Sequence, residues 1–175
     1  KPISLPQLPY GDTAEVIISA EGSSAFEALI RGDRLETLAD ERQKAGLKAG
    51  LAIPASEYLR AMRIRRIIQE KLRDLFTQVD LIVSPTTPET ASRLNEPLDV
   101  GRPLALPDGE RGNIDLSAAG NLAGLPALSL PCGFGANRLP LGIQLVGRPH
   151  EEHTLFRIGE EFQKRTDWHR RKPPI

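Results

Sequence analysis

The sequence lacks an excess of either charge, and it contains almost no cysteine and no long apolar run. Its 23 Lys and Arg residues balance 23 Asp and Glu residues. This balance argues against a strongly basic surface of the kind that nucleic acids and anionic membranes attract, so we expect neither as a partner. No stretch reaches the roughly 18 apolar residues of a membrane-spanning helix. Cys132 is the only cysteine, which excludes an internal disulfide framework and predicts a reducing, cytoplasmic location.

The first residues of the chain also lack two common features. They read KPISLPQLPYGD, without the basic and then apolar pattern of a signal peptide, and the only methionine is Met62. Apolar residues make up 39% of the 175 residues, which is enough to bury a core. We therefore expect a folded chain that is part of a longer protein.

Helical periodicity covers much of the chain. Residues 13–30 form an apolar stripe with Asp12 as the predicted N-cap and Gly32 as the predicted stop. The charged residues 33–45 predict a short, solvated helix that Gly46 and Gly50 interrupt. The strongest signal predicts a long amphipathic helix at about 56–79. Its apolar stripe consists of Leu59, Met62, Ile67, Leu72, Leu75, Phe76 and Val79.

The second half of the sequence alternates predicted helices with short apolar strands. We predict helices at 114–125 and 151–164, and strands at 81–83, 127–130 and 143–146. The last two strands flank a turn-rich segment, so we expect them to be neighbours. A proline-rich segment at 85–112 predicts a long loop, and such loops are often functional. This order of elements favours an α/β fold.

Several apparent motifs fail on spacing. In His150-Glu151-Glu152-His153 the histidines are three residues apart, whereas a zinc-binding H-E-x-x-H helix separates them by four. A lone Cys132 at a strand end is more often a packed side chain than a nucleophile. Gly22-Ser23-Ser24 lies inside a helical stripe, which does not expose a hydroxyl at a sharp turn. The residues alone therefore predict no catalytic site, no metal site and no cofactor.

One block of the sequence carries a specific resemblance. It reads NLAGLPALSLPCG over residues 121–133 and continues as LPLGIQLVG over residues 139–147. Both segments resemble the C-terminal region of the amidase signature family. The match extends, in order, over AEGSS at 20–24, Tyr58, Ala61 and Arg65, DLIVSPTTP at 80–88, the helix at 151–162, and Trp168, His169 and Pro173. The resemblance covers nearly all of the chain and implies a mixed β-sheet covered by helices.

The resemblance implies an amidase whose catalytic residues lie outside this chain. The family hydrolyses or transfers amides with a Ser–Ser–Lys triad, in which Lys is the base that activates a serine hydroxyl. The triad belongs to a Gly-Ser-rich region that has no match here, because Gly22-Ser23-Ser24 matches the A-E-x-S-S helix. We interpret residues 1–175 as the C-terminal portion of an amidase signature domain that is inactive alone. Its expected partners are the N-terminal part of the enzyme, a small amide substrate and a second copy of the chain.

The resemblance also points to one substrate-binding residue, Arg42. In the amidotransferase A subunits of the family, an Arg four residues before a Gly grips the substrate carboxylate, and Arg42 stands four residues before Gly46. A guanidinium pairs bidentately with a carboxylate, so the role is chemically sensible. The alternative is a surface Arg on a charged segment.

Two other glutamine-binding positions of those A subunits differ in this sequence. Ala14 or Glu15 stands where a Tyr is expected, and Ile114 stands where an Asp is expected. Asp115 is adjacent, but one residue along a helix turns a side chain by about 100°. These departures favour a stand-alone amidase over the A subunit of a glutamine-dependent tRNA amidotransferase. A non-catalytic binding module with the same fold is the third alternative.

Overall fold

The computed structural model describes residues 1–88, 90–94 and 112–173, with the backbone alone for 112–114. It divides the chain into two compact units. The helical unit comprises Gln7–Lys71, and the sheet unit comprises Lys1–Pro6 with Leu72–Ile175. Among the described residues, no helix is both long enough and apolar enough to cross a membrane.

The helical unit begins with helices α1 (Tyr10–Ala25) and α2 (Glu27–Arg31). Helix α1 starts earlier than the predicted cap at Asp12, because Pro9 takes that place. The backbone N–H and the hydroxyl of Thr13 both donate to the Pro9 carbonyl, at 3.1 and 2.6 Å. The predicted stop is confirmed, since α2 ends directly before Gly32.

The prediction for residues 33–45 is partly wrong. A short 3-10 helix (Asp33–Thr37) comes first, and helix α3 (Glu41–Gly50) follows. Asp40 caps α3, because its carboxylate accepts the backbone N–H groups of Arg42 and Gln43 at 2.8 and 3.3 Å. Gly46 lies inside α3 instead of interrupting it. A single glycine lowers helix propensity by only about 1 kcal/mol, which this cap offsets.

The long helix is confirmed as α4 (Ala55–Leu75), although it ends four residues before the predicted end. Its predicted apolar stripe is only partly correct. Leu59 and Ile67 are 54% and 45% exposed, whereas Ile68 is 0% exposed. The buried face follows Ala61, Ile68, Leu72 and Leu75. Apolar residues occupy adjacent helix positions here, so their spacing alone was compatible with either face.

The sheet unit contains three strands, β1 (Ile82–Pro85), β2 (Ala127–Phe134) and β3 (Pro140–Val146). Their order is β1-β3-β2, and β3 pairs antiparallel with both neighbours. The predicted pairing of the last two strands is confirmed. Within the described residues the expected mixed sheet is antiparallel. Within the described residues strand β1 lies at the edge of the sheet, and Val83 is 54% exposed. Pro85 suits an edge strand, since it has no backbone N–H to donate to a neighbouring strand.

Both predicted helices of this unit are confirmed, as α5 (Gly112–Ala123) and α6 (Glu152–Arg165). Helix α6 covers one face of the sheet. Its Leu155 packs with Leu130 of β2 and Leu145 of β3, and Ile158 and Phe162 extend this core. Gly124 follows α5 with a φ of +70°, a conformation that glycine adopts readily, at the point where the chain passes from helix to strand.

Arg148 joins the end of α4 to the sheet. Its guanidinium donates to the carbonyl of Phe76 at 3.0 Å, to the carbonyl of Val79 at 3.3 Å and to the carboxylate of Asp80 at 3.0 Å. The bond to Phe76 satisfies a carbonyl at the end of α4 that the helix itself leaves without a partner, and the other two hold the segment that leads into β1. Most of the predicted 85–112 loop, including Pro97, Pro103 and Pro107, lies outside the described residues.

Candidate functional site

The predicted substrate-binding residue, Arg42, lies in the first turn of α3. Its side chain is exposed, and its backbone N–H donates to the Asp40 cap at 2.8 Å. A guanidinium in the first turn of a helix adds its charge to the positive end of the helix dipole. This position is therefore chemically suited to an anionic group.

A buried cation lies two residues further along α3. Lys44 is 8% exposed, and its Nζ donates to Glu41 Oε1 at 2.7 Å, to Glu36 Oε2 at 3.4 Å and to the Glu36 carbonyl at 3.4 Å. The hydrogen bond to Glu41 raises the pKa of Lys44. The hydrogen bond from Lys48, followed by that from Lys44, lowers the pKa of Glu36. This cluster ties the 3-10 helix to the N-terminal half of α3, which carries Arg42.

The two glycines of α3 differ in their surroundings. A side chain on Gly46 would meet nothing within 4 Å, whereas one on Gly50 would overlap Ser23 and the backbone of Ser19 in α1. The glycine that close packing requires is therefore Gly50. If the four-residue spacing is counted back from Gly50, it reaches Gly46 and not Arg42, and Gly46 has no side chain that could bind a substrate.

The serines of the AEGSS segment lie within α1. Ser23 is 1% exposed and packs against α3, whereas Ser24 is exposed on the helix surface. Glu21 of the same segment accepts a hydrogen bond from the Tyr58 hydroxyl at 2.7 Å. This hydrogen bond joins α1 to α4 and raises the pKa of Tyr58. The segment thus has a structural role in the helical unit.

A second polar region lies in the sheet unit, on the face opposite α6. Ser84 of β1 and Ser129 of β2 are both register partners of Gln144 in β3. Thr86 directly follows β1, and its Oγ1 lies 2.7 Å from Ser129 Oγ. The sequence alone did not predict that the hydroxyls of Thr86 and Ser129 would meet. The alternation of strand residues was the signal that could have revealed them.

The remaining candidate residues form no site. Cys132 is half-buried and its thiol donates to the Leu141 carbonyl at 3.6 Å. Within the described ranges, no group of three or more His, Cys, Asp or Glu side chains could hold a metal ion. The side chain of Ile114 lies outside the described residues, while Ala14 is half-buried and Glu15 is exposed on α1.

Comparisons with known proteins identify the class. The Amidase family model matches residues 4–156. The A subunit of glutamyl-tRNA(Gln) amidotransferase from Bacillus cytotoxicus is 34% identical over 151 residues, which is 84% of this chain and 30% of that protein. The same subunit from Bacillus mycoides is equally similar, with the same coverage.

Solved structures agree with this result. An amidase crystal structure matches with a TM-score of 0.72 and 26% identity, over 91% of this chain and 36% of that one. A chain from a vestigial complex related to an s-triazine catabolic enzyme gives a TM-score of 0.75 and 26% identity, over 93% and 35% of the two chains. The A subunit from Thermotoga maritima gives 0.53 and 26%, over 82% and 30%.

These findings establish the fold as that of the amidases, an α/β architecture. The chain belongs to the amidase signature family, as its sequence resemblance implied. It spans about a third of the length of the relatives that it matches.

Proposed function

We propose that this chain is the C-terminal portion of an enzyme that hydrolyses a carboxamide C–N bond by a Ser–Ser–Lys mechanism. The observation that carries the proposal is the family match over residues 4–156. A serine nucleophile needs a positioned base beside an accessible hydroxyl, and the buried, helix-packed Ser23 does not offer one. The N-terminal part of the enzyme supplies the triad, so residues 1–175 alone are inactive.

In the intact enzyme, Arg42 binds a carboxylate of the substrate. Its exposure and its place in the first turn of α3 support this role. A charge-assisted, bidentate pair with a carboxylate would fix the orientation of the substrate. The alternative is a surface arginine. It is favoured if the closely packed Gly50 is the glycine that defines the four-residue spacing, because the residue four positions before Gly50 is Gly46 and not Arg42.

The first alternative function is the A subunit of a glutamine-dependent tRNA amidotransferase. The names of the Bacillus relatives support it. The differences at Ala14, Glu15 and Ile114 favour the stand-alone amidase instead. A true start codon near Lys1 would support the second alternative, a non-catalytic module with this fold. The proposed partners are the N-terminal part of the enzyme, an amide substrate and a second copy of the chain, in the cytoplasm and without nucleic acid, membrane or cofactor.

The decisive experiment compares two proteins, residues 1–175 and the longest reading frame that contains them. Both are assayed on a panel of simple amides for release of ammonia or amine. We expect turnover by the longer protein and none above background by the chain alone. Turnover by the chain that Ser23→Ala or Ser24→Ala abolishes would overturn the proposal. A longer protein that folds but is inert on the whole panel would favour the non-catalytic module.

A further inference from the structure

The last described residues of the chain pack against the end of strand β2. A one-turn 3-10 helix (Trp168–Arg170) follows α6, and the Trp168 ring meets the Phe134 ring edge to face, with the two ring centroids 6.1 Å apart. The Arg171 guanidinium lies over the Trp168 ring, 4.3 Å from its centroid. Both aromatic side chains are half-buried. We call Phe134, Trp168 and Arg171 the C-terminal clasp.

Hydrogen bonds hold the clasp in place on both sides of the 3-10 helix. Before the helix, the Thr166 hydroxyl donates to the Phe162 carbonyl of α6 at 2.9 Å. After it, the Arg171 guanidinium donates to the Asp167 carboxylate at 2.8 Å. A planar guanidinium can pair with a carboxylate and also stack on an aromatic ring. Arg171 therefore shields one face of the Trp168 ring from solvent.

Phe134 leads directly into the tip of the β2–β3 hairpin, which comprises residues 135–139. The Gly135 N–H donates to the Leu139 carbonyl at 2.9 Å, and the Arg138 N–H donates to the Gly135 carbonyl at 2.8 Å. The Asn137 side-chain carbonyl accepts the Leu139 N–H at 3.2 Å. Because these bonds close the tip on itself, we expect the tip to move together with Phe134.

The hairpin tip also contacts the chain that follows β1. Asn137 Nδ2 donates to Thr90 Oγ1 at 2.7 Å. A Cβ on Gly135 would lie 2.9 Å from the Cγ2 methyl group of Thr90, so Thr90 approaches the tip where Gly135 has no side chain. Thr90 is half-buried there. The clasp and Thr90 therefore contact adjacent parts of one hairpin.

We propose that the C-terminal clasp and the hairpin tip form one conformational unit, in which the packing of Trp168 on Phe134 determines whether Thr90 is held. With the clasp closed, the tip holds Thr90 through Asn137 and Gly135. Opening of the clasp removes the support of the tip and releases Thr90. Regions with few buried contacts and exposed hydrogen bonds open locally at a lower free energy than a core. Trp168 is thus a positioning residue for the segment after β1, a role that goes beyond the proposed hydrolysis and does not depend on it.

The first test uses Trp168, the only tryptophan of the 175-residue chain, as a fluorescent reporter. Thr90→Val removes the acceptor of the Asn137 bond but keeps a methyl group against Gly135. Because coupling between two contacts is reciprocal, this variant should loosen the clasp and increase acrylamide quenching of Trp168. Thr77→Val is the matched control. It removes a hydroxyl that donates to the Asp74 carbonyl outside the sheet, and it should leave the quenching unchanged.

The converse test removes the ring that packs on Trp168. Phe134→Leu should speed hydrogen exchange of the Gly135 and Arg138 amides by at least about threefold, the effect expected from loss of an aromatic pair. It should also weaken the nuclear Overhauser effect between the Thr90 methyl group and the Gly135 α protons. Phe156→Leu is the control, because Phe156 is 63% exposed on α6, and it should change neither measurement.

Unchanged Trp168 quenching in Thr90→Val would overturn the proposal, and so would an unchanged Thr90–Gly135 Overhauser effect in Phe134→Leu. If the ¹⁵N spectrum of Phe134→Leu shows loss of folding, Arg171→Gln decides instead. It keeps both rings and removes only the cation over Trp168, so it should still weaken the Overhauser effect. Arg170→Gln, at the neighbouring exposed arginine, should leave that effect unchanged.

Discussion

Ser23 of α1 and Gly50 of α3 are in such close contact that a methyl group on Gly50 would overlap the serine hydroxyl. Ser23 is 1% exposed, so it cannot turn away into solvent. A small residue on each helix lets the two backbones approach. This contact explains the serine of the AEGSS segment by packing.

The two glycines of α3 should respond oppositely to alanine. Gly50→Ala forces α1 and α3 apart and should lower the free energy of unfolding by about 1–3 kcal/mol, the usual cost of overpacking. Gly46→Ala adds a methyl group in open space within a helix and should raise the free energy of unfolding by about 0.5–1 kcal/mol. Urea unfolding followed by circular dichroism measures both. A destabilising Gly46→Ala or a neutral Gly50→Ala would contradict this account of the helix pair.

The ion pairs of Glu36 predict how stability depends on pH. Hydrogen bonds from Lys48 and Lys44 lower the pKa of Glu36 from its usual 4.5 in the folded chain. A lowered folded pKa contributes stability that is full above the unfolded pKa and is lost as the pH falls through the folded one. Between pH 7 and pH values below 4.5, the wild type should therefore lose more stability than Glu36→Gln.

The control for Glu36→Gln is Glu15→Gln, on the exposed side of α1. Within the described residues Glu15 has no ion-pair partner, so this variant should lose stability on acidification as the wild type does. Urea unfolding at each pH gives the comparison. Identical acid losses in the wild type and Glu36→Gln would show that the pairs with Lys44 and Lys48 do not stabilise the fold.

The sequence predicted most elements of the fold because their signals are local. Amphipathic periodicity located α4 and α6, and alternation with a turn located the β2–β3 hairpin. Burial was harder to predict, since it depends on what packs against each face. Ile67 and Ile68 are equally apolar neighbours, yet only Ile68 is buried.

The polar residues of the sheet show a second limit of sequence reasoning. Thr86 and Ser129 are separated by 43 positions, and their hydroxyls meet only because β3 lies between β1 and β2. Strand order in a sheet is not encoded locally. Gly142 gave no signal by itself, because a glycine in a strand has several explanations. The Arg42 prediction likewise depended on which glycine of α3 the spacing was counted from.

The edge of β1 should make the chain prone to self-association. Within the described residues β1 pairs with β3 alone, and Val83 is 54% exposed there. An apolar strand edge is a template for pairing with another chain. We expect the 175-residue chain to bind a hydrophobic dye and to form oligomers in analytical ultracentrifugation. Val83→Lys should reduce both, because charges block edge pairing.

The control for Val83→Lys is Thr77→Lys, which adds the same charge at an exposed position outside the sheet. It should leave dye binding and oligomer formation unchanged. A monodisperse wild-type monomer that fails to bind the dye would refute the prediction. Equal effects of both lysine variants would assign the change to net charge instead of the strand edge.

The role of Arg42 can be tested in the longer enzyme with paired substrates that differ by one carboxylate. If the guanidinium binds that carboxylate, Arg42→Ala should raise KM for the charged substrate by about tenfold or more, the effect of losing a charge-assisted pair. The neutral amide should be unaffected. Arg34→Ala, which removes another exposed arginine near α3, is the control and should change neither KM.

A third variant, Gly46→Arg, distinguishes the two ways of counting the four-residue spacing. Gly46 lies four residues before the close-packed Gly50, and a side chain there meets open space. If the carboxylate-binding position is counted from Gly50, Arg42→Ala should change neither KM, and Gly46→Arg should lower KM for the charged substrate alone, because it creates the missing ion pair. If it is counted from Gly46, Arg42→Ala should raise that KM. The charged substrate therefore assigns the position to residue 42 or to residue 46, and equal effects on both substrates would refute either assignment.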